Sequence, residues 1–360
     1  MPKFHPLKVK DIHRETKDAV SVAFELPESL KEEYAFKQGQ YLTLKTMIKG
    51  EEVRRNYSVC VSPVDEELRV AIKEVPGGRF STFANRVLQV GDTLDVMTPM
   101  GKFFTEVKAG QAKNYIGFAG GSGITPVISI LKTVLLVEPK STFTLFYANR
   151  GGDSIIFHEK IEALKNKFLN RLTIHHIFSE EKLETEIFNG YITKEKVAQF
   201  SRFLFKADTI DEYFICGPEP MMLAIRDGLD ALDIDKKKIH IELFGAPGAK
   251  PIASASAPAK KPFDPTKESK VTIRLDGDEI DFVLGYDSDN VLDAALKKGA
   301  DLPYACKGGV CSTCRAKLIK GEVDMEVNYA LEPEEVEAGF ILTCQSHPRT
   351  EEIVVDYDIK

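Results

Sequence analysis

The sequence predicts three domains of different class: an antiparallel β-barrel, a doubly wound parallel α/β domain, and a small β-rich module on a tether. Three observations carry this. Residues 4–107 read as short strands at close spacing, residues 114–244 alternate strand and helix, and a Pro/Ala/Gly/Ser-rich run separates both from a stretch holding four of the six cysteines. At roughly 100–200 residues per domain, 360 residues allow two or three domains.

In the barrel, Val20–Phe24, Tyr41–Leu44 and Leu68–Ile72 are β-rich or alternating, and Gly39, Gly50, Gly77, Gly91 and Gly101 mark turns. One short helix is expected at Ser81–Arg86. In the second domain the strands read at Tyr115–Ala119, Phe143–Tyr147, Leu172–Ile177, Tyr213–Cys216 and Ile239–Leu243. Helical patterns lie between them, as at Val127–Val137, Phe157–Phe168 and Met221–Leu232. The run from Gly245 to Pro262 has neither periodicity, so it reads as a semi-flexible linker. Two strands, Val271–Leu275 and Ile280–Leu284, and a helix at Asn290–Lys298 open the last module. The boundaries are 1–108, 109–246, 247–267 (linker) and 268–360.

With 43% hydrophobic and 29% charged residues the composition is that of an ordinary globular chain. No apolar run approaches the roughly 18 residues of a membrane span. The start turns polar at once, unlike a secretory leader, and so few cysteines point to a reducing, cytoplasmic setting. The net charge of −7 argues against a nucleic-acid binder. It is unevenly placed: residues 268–360 hold 20 acidic and 10 basic side chains, so the module is acidic and the body slightly basic. That is either an ordinary solvated surface or a docking face for a basic partner or for the rest of this chain.

Cys306, Cys311, Cys314 and Cys344 give C-x4-C-x2-C with a distant fourth cysteine. The loop between the first three is small and glycine-rich, which lets backbone N–H groups turn inward onto cluster sulfurs. The spacing is that of a plant-type [2Fe–2S] centre. A four-cysteine zinc site usually pairs two C-x2-C knuckles, and only one such pair is present. Cys60 reads as a small buried hydrophobe.

Ala119-Gly120-Gly121-Ser122-Gly123-Ile124-Thr125-Pro126 joins a strand to an apolar helix. Glycines admit a pyrophosphate and the helix N-terminus supplies N–H groups, with Thr125 expected at the N-cap and Pro126 at the first helical position. A lone turn of this kind is weak evidence; its place at the head of a parallel sheet strengthens it. In the barrel, Arg55-Asn56-Tyr57-Ser58 puts a cation and a ring on one face of an extended stretch. That suits a flavin nucleotide. Gly77-Gly78-Arg79-Phe80-Ser81-Thr82 offers a second turn for a diphosphate. Taken alone, each reads as an ordinary strand or cap.

Together these motifs resemble the ferredoxin–NADP reductase superfamily fused to a C-terminal plant-type ferredoxin domain, over essentially all of the chain outside the linker. Within it, Cys306–Lys317, Val327–Glu332 and Gly339–Gln345 are similar to the reductases of phenylacetyl-CoA epoxidase complexes. The resemblance implies a β-barrel FAD domain, a nicotinamide domain and a β-grasp-like ferredoxin domain. It implies Arg55 at the FAD pyrophosphate, Tyr57 stacked on the flavin, Ser58 at flavin N5, and Gly78, Ser81 and Thr82 at the diphosphate. Gly121, Gly123, Thr125 and Pro126 match the nicotinamide-nucleotide turn. Cys216-Gly217-Pro218 matches the motif under the nicotinamide ring, and Phe244 the aromatic that covers the flavin. Ser58 and Cys216 are thus the residues expected at the reacting atoms, and Cys306, Cys311, Cys314 and Cys344 the cluster ligands.

Hydride transfer moves two electrons and a [2Fe–2S] cluster takes one, so a flavin between them is required by electron count. The expected order is NADPH, FAD, cluster, and then a partner oxygenase, a diiron monooxygenase if the nearest resemblance holds. No acidic residue follows the second nucleotide-domain strand and Arg150 does, which favours NADPH, with NADH the alternative. Ser179-Glu180-Glu181, where relatives place a second cation, weighs against it. Other readings keep the electron path but feed a ring-hydroxylating, steroid-hydroxylating or desaturase system. A reading of another class is a nucleotide-binding redox sensor without turnover. No iron-binding His/Glu set on helices is visible, so the chain is not expected to oxidise substrate itself.

Overall fold

The computed structural model describes residues 3–244 and 267–359, which fall into two compact units, one of residues 3–244 and one of residues 267–359. The tether expected over 247–267 lies, except for Lys267, outside the described residues.

The first unit begins with strands β1 (Phe4–Thr16), β2 (Ala19–Glu25), β3 (Tyr41–Ile48), β4 (Glu51–Ser58), β5 (Leu68–Lys73) and β6 (Thr93–Met97), with helix α1 (Arg79–Arg86) between the last two. They form one antiparallel sheet in the order β4-β3-β6-β1-β2-β5. A bridge between Val59 and Val70 joins its two ends and closes the barrel. Lys49 and Gly50, both at positive φ, make the tight hairpin between β3 and β4. Inward residues of period two, such as Leu7 and Val9 on β1 and Val20 and Val22 on β2, fill the interior with Phe80 of α1.

The second half of this unit carries β7 (Asn114–Gly120), α2 (Ile124–Val137), β8 (Thr142–Asn149), α3 (His158–Lys167), β9 (Leu172–Phe178), α4 (Lys194–Phe203), β10 (Glu212–Cys216), α5 (Glu219–Asp230) and β11 (Ile239–Glu242). The five strands are parallel, in the order β11-β10-β7-β8-β9. The order reverses between β7 and β10, and in open α/β sheets ligands bind at that crevice. Helix α2 lies against the barrel. Ser129 Oγ donates to the Val61 carbonyl at 2.6 Å, Thr133 Oγ1 to Ser62 Oγ at 2.8 Å, and Lys132 pairs with Asp65. Apolar packing from Cys60 and Ala71 continues into the core under α2.

Two expectations change here. The helix after β7 starts at Ile124, behind a 3-10 turn over Gly121–Gly123, so Thr125 is neither the N-cap nor Pro126 the first helical residue. The reason is local: the 3-10 turn runs straight into the helix, and Thr125 Oγ1 instead donates back to the Ser122 carbonyl at 3.0 Å. Helix α4 is not visible in the sequence pattern because its buried face is narrow, chiefly Val197 and Phe200.

The second unit contains β12 (Glu268–Leu275), β13 (Asp278–Gly285), α6 (Val291–Lys297), β14 (Arg315–Lys320), β15 (Val323–Met325), α7 (Pro333–Glu337), β16 (Phe340–Leu342), β17 (Ser346–Pro348) and β18 (Glu352–Asp356). The main sheet runs β13-β12-β18-β14-β16, with β12 and β18 parallel. Asn290 caps α6 through Oδ1, which accepts from the Asp293 N–H at 2.8 Å. Val291, Leu292 and Ala295 of α6 are buried with Val271, Ile273, Ile353 and Val355 of the sheet, a β-grasp arrangement.

Candidate functional site

On β4, Arg55 and Tyr57 stand opposite Leu44 and Leu42 of β3 and so share a face. Ser58 ends the strand and is buried. The Arg55 guanidinium donates to the Arg54 carbonyl at 2.6 Å. The Tyr57 ring lies 5.5 Å from that of Phe80 at the start of α1, which brings the two barrel motifs together. Burial pushes the Tyr57 hydroxyl upward, so it stays neutral. At the turn, Gly77 has φ +72° and open space where a Cβ would project, whereas a Cβ on Gly78 would lie 2.4 Å from Ser81 Oγ. Ser81 Oγ accepts from the Val75 N–H at 3.1 Å, and Thr82 Oγ1 donates to Glu74 at 3.3 Å. These two hydroxyls are engaged within the protein and shape the turn. No side chain caps the first turn of α1, leaving N–H groups suited to a diphosphate.

In the parallel half, three glycines allow two turns to touch. A Cβ on Gly123 would sit 2.1 Å from the Cys216 carbonyl oxygen, one on Gly120 would sit 2.6 Å from Pro218 Cδ, and one on Gly217 would sit 2.9 Å from Gly120 N. The turn after β7 is thus pressed onto Cys216-Gly217-Pro218 after β10. Cys216 is fully buried, and burial pushes its thiol well up. Gly121, at φ +51°, has its carbonyl braced by the Tyr147 hydroxyl at 3.1 Å.

Beside these turns lies a largely apolar cavity of about 570 Å³ whose lining includes Gly121, Asn149, Arg150, Ser179, Tyr191 and Pro218. Arg150 is half exposed, with its guanidinium 3.5 Å from Asp18. Glu181 accepts from the Gly152 N–H at 2.7 Å, and neither it nor Glu180 lines the cavity. The amide of Asn149 lies beside the Tyr147 hydroxyl, yet its Nδ2 is buried without a bonded acceptor among the described residues. Lys73, from the barrel, also lines the cavity. Sequence reasoning missed Asn149, Tyr191 and Lys73. They sit at strand ends and in a loop, with no spacing that joins them to a motif. Phe244 is the last described residue of its unit and is 44% exposed.

In the second unit Cys306 lies beside Cys311, and Cys314 beside Cys344. The neighbouring Cys311 and the surrounding backbone N–H groups hold the Cys306 thiol below its ordinary range against the opposing effect of burial. The Gly308 N–H points at Cys306 Sγ at 3.3 Å. Among the described residues no three His, Cys, Asp or Glu side chains converge as single-ion ligands. Two pairs of thiols with inward N–H groups fit a two-iron cluster, one pair to each iron, better than one tetrahedral ion. Thr343, next to Cys344, gives its hydroxyl to the Cys314 carbonyl at 3.0 Å and meets the buried Tyr357 hydroxyl at 2.7 Å.

A barrel with a flavin-type turn, a nucleotide crevice and a paired-thiol loop define a flavin- and iron–sulfur-dependent oxidoreductase. Residues 6–105 match the oxidoreductase FAD-binding domain family, 118–227 the oxidoreductase NAD-binding domain, and 273–349 the 2Fe-2S iron-sulfur cluster binding domain. The chain is 44% identical, over its whole length and 99% of the relative's, to a component of the 1,2-phenylacetyl-CoA epoxidase of Escherichia coli (strain K12). It is 32% identical, over 98% of its length and 96% of the relative's, to the ferredoxin reductase component of 3-ketosteroid-9-alpha-monooxygenase of Rhodococcus rhodochrous. It belongs to this family of oxidoreductases with FAD-binding, NAD-binding and 2Fe-2S domains. Its fold is shared with phthalate dioxygenase reductase, at TM-score 0.58 and 23% identity over 98% of both chains. No helix among the described residues is long and apolar enough to cross a membrane.

Proposed function

We propose that this chain is the cytoplasmic reductase of a multicomponent oxygenase, passing electrons from NADPH through FAD and a [2Fe–2S] cluster to a phenylacetyl-CoA epoxidase-type diiron monooxygenase in phenylacetate catabolism. The division is 1–108 for FAD, 109–246 for the nucleotide, 247–267 as tether and 268–360 for the cluster. When bound, FAD accepts a hydride and releases electrons singly, and the cluster carries them one at a time. The paired thiols carry the reading, because a one-electron carrier in the same chain as a hydride site needs that division of labour. The 44% identity to the epoxidase component supports the choice of partner.

Arg55 and the open first turn of α1 hold the diphosphate of FAD, the Tyr57 ring covers its flavin, and Ser58 orients N5. Gly78, Ser81 and Thr82 keep that turn in shape. Gly121, Gly123, Thr125 and Pro126 form the turn for the dinucleotide, and Cys216, Gly217 and Pro218 the floor under the nicotinamide. Phe244 closes the flavin. Cys306, Cys311, Cys314 and Cys344 hold the irons. Arg150 takes the 2′-phosphate at the cavity mouth, a choice supported by the absence of Glu180 and Glu181 from the lining.

A steady-state experiment tests this. The full chain reduces ferricyanide with NADPH in preference to NADH and drives the oxygenase. A chain ending at residue 246 keeps the first activity and loses the second. Arg150→Ala lowers kcat/KM for NADPH roughly 10- to 100-fold, as one charge-assisted contact is lost, and spares NADH. A truncated chain that supports the oxygenase at the full rate overturns the electron path; equal losses with both nucleotides overturn the role of Arg150.

A further inference from the structure

We propose that Gln345 is a positioning residue for the cluster, tuning its potential by donating an N–H to the sulfur of the fourth ligand and tying that ligand to the loop of the first. The inference rests on the reading that the four cysteines hold a [2Fe–2S] cluster.

Gln345 directly follows Cys344 and is buried, 6% exposed, an uncommon place for an amide without a task. Its Nε2 lies 2.8 Å from the Cys344 carbonyl, 3.1 Å from the Lys307 carbonyl and 3.5 Å from Cys344 Sγ. All three groups accept, so both amide hydrogens are drawn to one corner of the site. Lys307 follows Cys306 and stands at φ +51°, a strained geometry for a lysine that the bond to its carbonyl helps to hold. The Gln345 stem packs where Gly309 has no side chain: a Cβ there would come within 3.2 Å of Gln345 Cγ. N–H groups on ligand sulfurs stabilise the more negative, reduced cluster and raise its potential.

The test uses the full chain. Gln345→Leu keeps the volume and removes the donor. EPR-monitored titration of this variant, with iron content matching the wild type, should show a lower cluster midpoint while the flavin midpoints stay put. An up to tenfold loss in the reduced-to-oxidised ratio at fixed potential corresponds to about 59 mV for one electron. A second measurement does not depend on the variant's folding. Gln345 is the one glutamine in residues 268–360. Wild-type protein labelled with 15N in glutamine side chains should therefore show a 15N hyperfine coupling to the reduced cluster. An unchanged midpoint in a fully loaded variant, or no such coupling in the wild type, overturns the proposal. A wild type with no [2Fe–2S] signal at all overturns the underlying reading too.

Discussion

Two glycine-rich loops build the two candidate sites, and at Gly123 and Gly308 they use glycine for opposite ends, although Gly309 in the second loop is packed as closely as the first, with a Cβ there 2.8 Å from Val327. In the turn after β7, glycine removes side chains so that backbone can press on backbone; Gly123 sits where any Cβ would strike the Cys216 carbonyl. In the cysteine loop, Gly308 has almost free space about it, with only the Cys306 carbonyl oxygen at 3.8 Å, and its value lies in the N–H it aims at sulfur. The first site is made by packing two distant strand ends together. The second is made by a short run of chain curling round its own ligands. Added volume should therefore damage the nucleotide site at Gly123 and be tolerated in the cluster loop at Gly308.

The largest expected effect breaks the second site without touching the first. Cys311→Ser replaces one thiolate of the Cys306/Cys311 pair with a hard hydroxyl. Iron and acid-labile sulfide, assayed anaerobically, should fall to a small fraction of the wild type. FAD content should be unchanged, because Arg55, Tyr57 and α1 belong to the other compact unit. Full iron loading in the variant, or zinc in the wild type, would sink the assignment.

The same contrast explains what the sequence revealed. The cysteine loop was legible because its three first ligands and their glycines are contiguous, so spacing alone encodes geometry. The parallel sheet was legible from its alternation, and Cys216-Gly217-Pro218 from a resemblance. The cavity wall was not. Asn149 ends β8, Tyr191 follows Gly190 in a loop and Lys73 ends a barrel strand, and only the closed fold brings them to one surface. The placement of Thr125 failed for a smaller reason, since a glycine 3-10 turn and a helix start share the same local signals. Ser81 is expected at the diphosphate from the resemblance alone, and in the fold its hydroxyl accepts from the Val75 N–H.

A paired substitution sharpens the comparison at intermediate size. Gly123→Ala places a methyl 2.1 Å from one backbone oxygen and 2.7 Å from the Gly217 nitrogen, neither of which can rotate away. Overpacking of that kind should cost about 3 kcal/mol, seen as a lower Tm of the first unit and weakened NADP+ binding. Gly308→Ala meets nothing closer than 3.8 Å. It should change stability by less than about 0.5 kcal/mol and leave the N–H in place, so iron content stays full. Equal damage from both would mean that the two loops use glycine alike.

The smallest effect concerns how the far ends of the two sites are braced against acid. Strand β10 carries Cys216 at one end and Glu212 at the other. Glu212 accepts from Thr105 at 2.8 Å and Lys113 at 2.7 Å, and lies 3.2 Å from His240 on β11. Burial acts to raise its carboxyl, but these partners outweigh it and hold the group at about 2, below its ordinary 4.5. A depressed carboxyl contributes stability that is fully present above the ordinary value and is lost as pH falls through the folded one. The window is thus from about 4.5 down to about 2. In the second unit the corresponding brace, Tyr357 to Thr343 to the Cys314 carbonyl, contains no group that titrates there. Glu212→Gln should cost the first unit about 1–3 kcal/mol near neutral pH. That difference from the wild type should shrink steadily between pH 4.5 and 2. Thermal unfolding of the chain ending at residue 246, followed across that range, checks the sign. A difference that stays constant with pH would mean that Glu212 braces β10 by its shape and not by its charge.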